Sequence, residues 1–210
     1  MTHTLHRRGT LENLANDYVV FAMSAKGINE KDSANRMREF MRIAQRYNPV
    51  NMGDMKTGNA YSVGMERVIA DIKDTSIVHA VFTELETVAK VVQEVKEAEL
   101  GISVIISGLF DSAKGCCQKT GLTLHTIEHS LDIWGKTEKL APQDVLEITT
   151  MCGHGMVAGN LVVSMAEDVK AGRLTPEDAA GELAKQCCCG IFNPVRAAEL
   201  LKAMACRLFP

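Results

Sequence analysis

The chain lacks any apolar run of the length that a membrane-spanning helix needs, which is about 20 residues, and it has little excess charge of either sign. Its 23 basic and 26 acidic side chains give a formal net charge of −3. Without a basic excess, we do not expect the broad positive surface that binding to a nucleic-acid backbone requires. The N-terminal segment MTHTLHRRGTLENLANDYVV also lacks the apolar core of a signal peptide. We therefore expect a soluble, cytoplasmic protein that binds neither nucleic acid nor a membrane.

Aromatic residues are scarce, at 5% of the chain, and proline occurs five times, but 46% of the residues are hydrophobic. A chain of 210 residues can therefore bury a full core without disulfides or metal. Cysteine is abundant by comparison, with seven residues that include the adjacent groups Cys116-Cys117 and Cys187-Cys188-Cys189. An odd number of partly adjacent cysteines argues against a disulfide framework and favours thiolate chemistry or metal ligation.

The centre of the sequence alternates between short apolar runs and a helical pattern. Residues 76–82 (SIVHAVF) and 101–107 (GISVIIS) are β-rich apolar runs, and residues 84–99 between them carry leucine and valine at helical spacing. This order predicts a βαβ unit with two paired parallel strands and a right-handed crossover. His79, within the first run, is expected to be a satisfied core histidine.

The flanking segments predict further helices and loops. Apolar residues at spacings of three and four, among them Leu11, Leu14, Tyr18 and Phe21, predict two N-terminal helices within residues 10–47. Residues 51–59 are polar and rich in glycine, which indicates a loop. Helices are predicted over residues 65–72 and 110–120, and a strand over residues 122–133.

After Pro142 the pattern is helical, over residues 143–149 and 157–171, from Thr175 onwards, and from Asn193 to about residue 205. Thr175 and Asn193 are predicted N-caps, each followed by proline. We predict an α/β fold with a small parallel or mixed sheet, a helical N-terminal region and a helical C-terminal metal-binding part. The predicted organisation is an α/β body at residues 1–140 and a cysteine-rich helical part at 141–210, with a single domain as the alternative.

Two cysteine segments containing glycine precede predicted helices in the C-terminal part. One is MCGHGM, which carries Cys152 and His154, and the other is CCCGIFNP, which begins at Cys187. Glycines on both sides of His154 let the backbone bend so that both side chains can face one centre. Adjacent residues of an extended stretch point to opposite sides, so Cys187 and Cys189 are the predicted pair of the second segment.

These residues predict a metal centre. Cys152, Cys187 and Cys189 would supply three thiolates, and Cys117 or His154 would complete the set. Three cysteines with an open position suit a [4Fe–4S] cluster, whereas a closed set of three cysteines and one histidine suits structural zinc. The cysteine spacing matches neither a ferredoxin nor a zinc finger, so the iron–sulfur cluster and structural zinc both remain possible interpretations. A third alternative is a metal-free enzyme in which His154 activates a cysteine.

Two other regions carry candidate substrate-binding residues. Asp54, Lys56 and Thr57 lie in the predicted loop, which could close over an anionic ligand although it lacks the spacing of a P-loop. His125 and His129 are four residues apart in the predicted strand and would therefore share a face. These residues predict a small-molecule substrate as partner, and a cluster would add an electron-transfer partner.

The pattern CGHGMVAGNLV followed by AKQCCCGIFNPVRAAELL resembles a family of uncharacterised cysteine-containing proteins of anaerobic prokaryotes. The resemblance implies no activity, but it implies an oxygen-free cytoplasm that tolerates iron–sulfur clusters. We therefore expect a [4Fe–4S] protein of anaerobic metabolism, as an enzyme or a redox protein. A zinc-binding structural domain and a metal-free cysteine enzyme are the alternatives.

Overall fold

A five-stranded sheet forms the middle layer of the protein, of which a computed structural model describes residues 2–207. The strands are β1 (Tyr18–Met23), β2 (Asn51–Asp54), β3 (Gly58–Asn59), β4 (Ile77–Phe82) and β5 (Ser103–Ser107), arranged in the order β3-β2-β4-β1-β5. All neighbouring pairs whose register is defined run antiparallel. Strands β3 and β5 are therefore the two edges.

Helices cover both faces of the sheet. They are α1 (Leu11–Leu14), α2 (Ser33–Gln45), α3 (Met65–Ala70), α4 (Leu85–Glu97), α5 (Phe110–Lys119), α6 (Gln143–Thr149), α7 (Gly159–Lys170), α8 (Pro176–Gln186) and α9 (Pro194–Arg207). Short 3-10 turns cover Thr2–Thr4 and Thr137–Lys139. Among the described residues, no helix is long and apolar enough to cross a membrane.

The side chains of β1 divide between two hydrophobic layers because successive residues of a strand point to opposite faces. Val19 and Phe21 pack with residues of α6, α7, α8 and α9. Val20 and Ala22 pack with residues of α2, α3, α4 and α5. The result is a helix–sheet–helix sandwich in which the cysteine-rich C-terminal helices and the rest of the chain share one sheet.

The predicted pairing of two parallel strands is wrong, although both strands and the helix between them are present. Strands β4 and β5 both pair with β1, each antiparallel to it, so they run in the same direction but are separated by one strand. The α/β class is confirmed. The sheet is antiparallel because a strand from the N-terminal region lies between the two segments that the sequence suggested as neighbours.

That inserted strand is the second correction, because residues 10–47 do not form two helices. The segment forms the single turn of α1, strand β1 and helix α2. Every residue from Tyr18 to Ala22 is buried. A strand covered on both faces reads as a continuous apolar run, so its spacing can imitate a helix.

The predicted loop at residues 51–59 and the predicted strand at 122–133 are corrected as well. The first is a short hairpin, in which Gly53 pairs with Asn59 and Asp54 with Gly58. The second has no regular secondary structure, and its side chains are exposed throughout. Two of its apolar residues, Leu124 and Ile127, line a cavity instead of joining the sheet.

The C-terminal helices agree with the sequence-based boundaries to within about two residues. Thr175 caps α8, because its side chain accepts a hydrogen bond from the Asp178 backbone N–H. Asn193 accepts from the Arg196 N–H in the same way at the start of α9, at 3.0 Å. Both predicted N-caps are therefore confirmed.

Candidate metal and thiol site

The loops before α7 and α9 meet beneath the sheet. Helices α7 and α8 form a hairpin around Gly172, whose φ of +67° is left-handed and suits glycine. The hairpin returns the chain, so that the loop carrying Cys152 and His154 lies against the turn carrying Cys187 and Cys189. All three cysteines are buried, whereas His154 is exposed.

Four side chains form a line of contacts in this region. Cys187 Sγ lies 3.9 Å from Cys189 Sγ, and Cys189 Sγ lies 3.6 Å from His154 Nδ1. At the other end, the Cys152 thiol forms a hydrogen bond with Cys187. This bond raises the pKa of Cys152, and burial raises it further. Cys188, between the two buried cysteines, is partly exposed, as its alternating direction predicts.

The paired thiols hold their protons more tightly than free cysteine does. A hydrogen bond with the Cys152 thiol stabilises the Cys187 thiolate and lowers the pKa of Cys187. The contact with Cys189 and burial raise this pKa by more, so the result is a pKa of about 12. Near neutral pH Cys152 and Cys187 are therefore protonated in the absence of a cation. A thiophilic cation would displace these protons, because the thiolate is the form that binds metal.

Two histidines that were not predicted to contribute to the site lie beside these cysteines. The His3 ring stacks on the His154 ring with 5.0 Å between centroids, and His3 Nε2 lies 2.9 Å from His79 Nε2. Burial lowers the pKa of His3 to about 4 and that of His79 to about 3, so both rings are neutral. His79 Nδ1 is buried without a hydrogen-bond partner among the described residues. The expectation of a core histidine therefore holds for its burial, and the backbone of Gly53 and of Cys189 lies close enough to the ring to oppose part of the fall in its pKa.

Glycines allow the close approach of the segments that surround the cysteines. A Cβ on Gly53 of β2 would lie 2.7 Å from the Cys189 carbonyl oxygen, and one on Gly153 would overlap the His3 carbonyl group. The Cys189 turn is thus pressed against the sheet, and the N-terminal segment is pressed against the Cys152 loop. Glycine spacing in the sequence offered no signal of these contacts because each joins distant parts of the chain.

The fifth predicted ligand, Cys117, lies in α5, which packs against the other side of the sheet. Its neighbour Cys116 is fully buried there, and burial raises its pKa to about 11. Cys116 belongs to the hydrophobic layer on the far side of the sheet from the layer that contains Cys152 and Cys189. Across residues 2–207, no group of three or more histidine, cysteine, aspartate or glutamate side chains already has the arrangement that a metal ion requires.

The candidate substrate residues of the hairpin bond to their own surroundings. Asp54 is fully buried, and one of its carboxylate oxygens accepts hydrogen bonds from Thr57 Oγ1 at 3.2 Å and Ser76 Oγ at 2.9 Å. Lys56 Nζ donates to Thr75 Oγ1 at 2.7 Å. These bonds hold the β2–β3 turn against the chain before β4.

His125 and His129 do not share the face of a strand, because their segment is irregular. His125 Nδ1 bonds to the neighbouring Thr126 hydroxyl. His129 lines a cavity beside β5. Among the described residues, neither imidazole bonds to the cysteines of the site.

Comparisons with protein-family models, with curated proteins and with solved structures found no match for this chain. The resemblance to cysteine-containing proteins of anaerobic prokaryotes therefore stays a prediction.

Proposed function

We propose that the protein binds a single thiophilic transition-metal ion, with Cys152, Cys187, Cys189 and His154 as its ligands. The supporting observation is the position of Cys189 Sγ, 3.9 Å from Cys187 Sγ and 3.6 Å from His154 Nδ1. Two thiolates on one tetrahedral zinc-type ion are about 3.8 Å apart, and a thiolate and an imidazole nitrogen are about 3.6 Å apart. The two observed distances match these edges of a tetrahedral site.

Binding would require the two ends of this line of contacts to close around the ion. Cys152 and His154 share a loop with Gly153 and with Gly155, whose φ is +67°. Glycine permits backbone changes that other residues resist. Metal sites often complete their geometry only when the ion binds, because the ion displaces the thiol protons and draws the ligands together.

The ion would join parts of the fold that are distant in sequence. It would bridge the loop before α7 and the turn before α9, and that turn packs against Gly53 of the sheet. We propose that its first role is to stabilise this junction. Because His154 is exposed, one side of the ion would face solvent.

The separation between Cys187 Sγ and Cys189 Sγ favours a single ion over a four-iron cluster. Each cysteine of such a cluster binds a different iron, so its ligand sulfurs lie further apart than two ligands of one ion. Cys187 and Cys189, at 3.9 Å, fit the shorter separation. The [4Fe–4S] cluster and its electron-transfer partner stay predictions, and the experiment below distinguishes them from the proposal.

The test is anaerobic purification followed by metal and acid-labile sulfide analysis. We expect one zinc or iron per chain, no labile sulfide, and a lower melting temperature after chelation, because an ion that binds only the folded state stabilises it. Labile sulfide with broad absorption near about 400 nm would show that the protein binds an iron–sulfur cluster instead of a single ion. Protein without metal that also fails to bind added zinc or ferrous ion would overturn it.

Serine variants locate the ion. Cys152→Ser and Cys189→Ser should each lower bound metal strongly, since a hydroxyl is a poor substitute for a thiolate. Cys206→Ser is the control for an exposed cysteine, and Cys117→Ser is the control for a buried one outside the cluster. Full metal content in both cluster variants would contradict the assignment.

A further inference from the structure

A cavity of about 350 Å³ lies beside the edge strand β5. Its other walls are the N-terminal segment, the first turns of α5, and the irregular segment 124–130. The walls are mainly apolar, and they include Ile105, Ile106, Phe110, Ala113, Leu124 and Ile127. Its size and lining are typical of sites for small organic ligands.

Arg7 also lines this cavity, and its side chain is only 7% exposed. Its two terminal nitrogens donate to Asp17 and to the Ile191 carbonyl oxygen. Its third nitrogen, Nε, is buried and has no hydrogen-bond partner among the described residues. A buried N–H group without a partner is costly, so a ligand acceptor would gain binding energy there once the side chain turns Nε towards the cavity.

The charges around Arg7 do not cancel. Asp17, which also lines the cavity, accepts from Arg196 Nη1 at 2.8 Å as well as from Arg7. All three side chains are at least nine-tenths buried. Two guanidinium groups bond to this one carboxylate, and Glu147 acts on Arg196 without bonding to it, so an anion beside Arg7 would compensate the remaining positive charge.

The start of α5 adds to the positive electrostatic potential of the cavity. Leu109 and Phe110 line the cavity, and no side chain caps this helix. Free N–H groups at the start of a helix favour an anion, although the exposed Asp111 in this first turn already offsets part of that field. The exposed Lys114 and Glu128, both in the lining, carry opposite charges and largely offset each other.

From these observations we infer that the cavity binds a small amphipathic carboxylate. The carboxylate lies between Arg7 and the start of α5, and the hydrocarbon chain packs against β5 and segment 124–130. This site is separate from the cysteine cluster, and the inference does not depend on a metal being bound. Arg7 adjoins both sites, because it also donates to Ile191, two residues after Cys189.

The test uses titration calorimetry of the full chain with three probes that share a chain length: octanoate, octanol and octylamine. Octanoate should bind, octanol should bind about tenfold more weakly because it lacks the charge, and octylamine should not bind. Equal affinity for octanoate and octanol, or no binding of octanoate at millimolar concentration, would overturn the inference.

Two matched variants locate the bound probe. Ile127→Glu places a negative charge on the wall of the cavity and should weaken octanoate binding about tenfold or more. Leu131→Glu adds the same charge to the same segment outside the lining, at a side chain that is 75% exposed, and should change the affinity less than about twofold. Both positions are exposed enough to keep the fold intact. Equal affinities in the two variants would show that octanoate binds elsewhere and would end the proposal.

Discussion

The backbone of Gly53 is in direct contact with that of Cys189: a Cβ on Gly53 would lie 2.7 Å from the Cys189 carbonyl oxygen. Gly190 belongs to the same contact, since a Cβ there would lie 2.6 Å from the Gly53 nitrogen. Two segments more than half the chain apart are thus packed without side chains between them. The position of the cysteine turn therefore depends on glycine in β2.

Gly53→Ala should destabilise the protein by about 1–3 kcal/mol, because the added methyl group forces β2 and the Cys189 turn apart. Urea unfolding measures this change in the free energy of unfolding. Gly115→Ala is the matched control, because Gly115 lies inside helix α5 and a methyl group added there would have no neighbouring atom within 4 Å. That variant should be neutral or more stable by up to about 1 kcal/mol. Equal effects of the two substitutions would contradict the proposed contact.

Asp17→Asn should be strongly destabilising. Asp17 is the only carboxylate that bonds to Arg7 and Arg196 among the described residues. Removing its charge leaves buried guanidinium groups without a counter-ion, which costs about 3–5 kcal/mol. Asp71→Asn removes an exposed ion pair with Arg67 and should cost less than about 1 kcal/mol. Similar melting temperatures for both variants would show that the buried charges are compensated in another way.

Native alkylation should separate the cysteines by burial and proton affinity. After chelation, iodoacetamide at about pH 8 should modify Cys206 and Cys188, which are at least partly exposed. Cys116 and Cys187 should resist, because both are buried and their pKa values are raised to about 11 and about 12. Mass spectrometry of peptides gives the order of modification, and denatured protein should react at all seven cysteines. Early labelling of Cys187 would contradict the buried, protonated state.

Local signals were sufficient for the helices that pack by one face. Helix α4 follows from its valines at helical spacing, and helices α8 and α9 follow from their caps at Thr175 and Asn193. Each of these signals lies within a few residues of the element that it specifies. Strand β1 could not be identified in this way, because burial on both faces removes the alternation that marks a strand.

For the candidate site, the sequence by itself determined which residue types were offered: cysteines and a histidine, flanked by glycine, before two helices. The tertiary structure decided which of them meet. It brought Cys152, Cys187, Cys189 and His154 into one line of contacts and placed Cys117 beyond the sheet. It also added the His3–His79 pair and the cavity beside Arg7. The physical reason is that such groupings depend on strand order and layer packing, which are set by contacts between residues far apart in the chain.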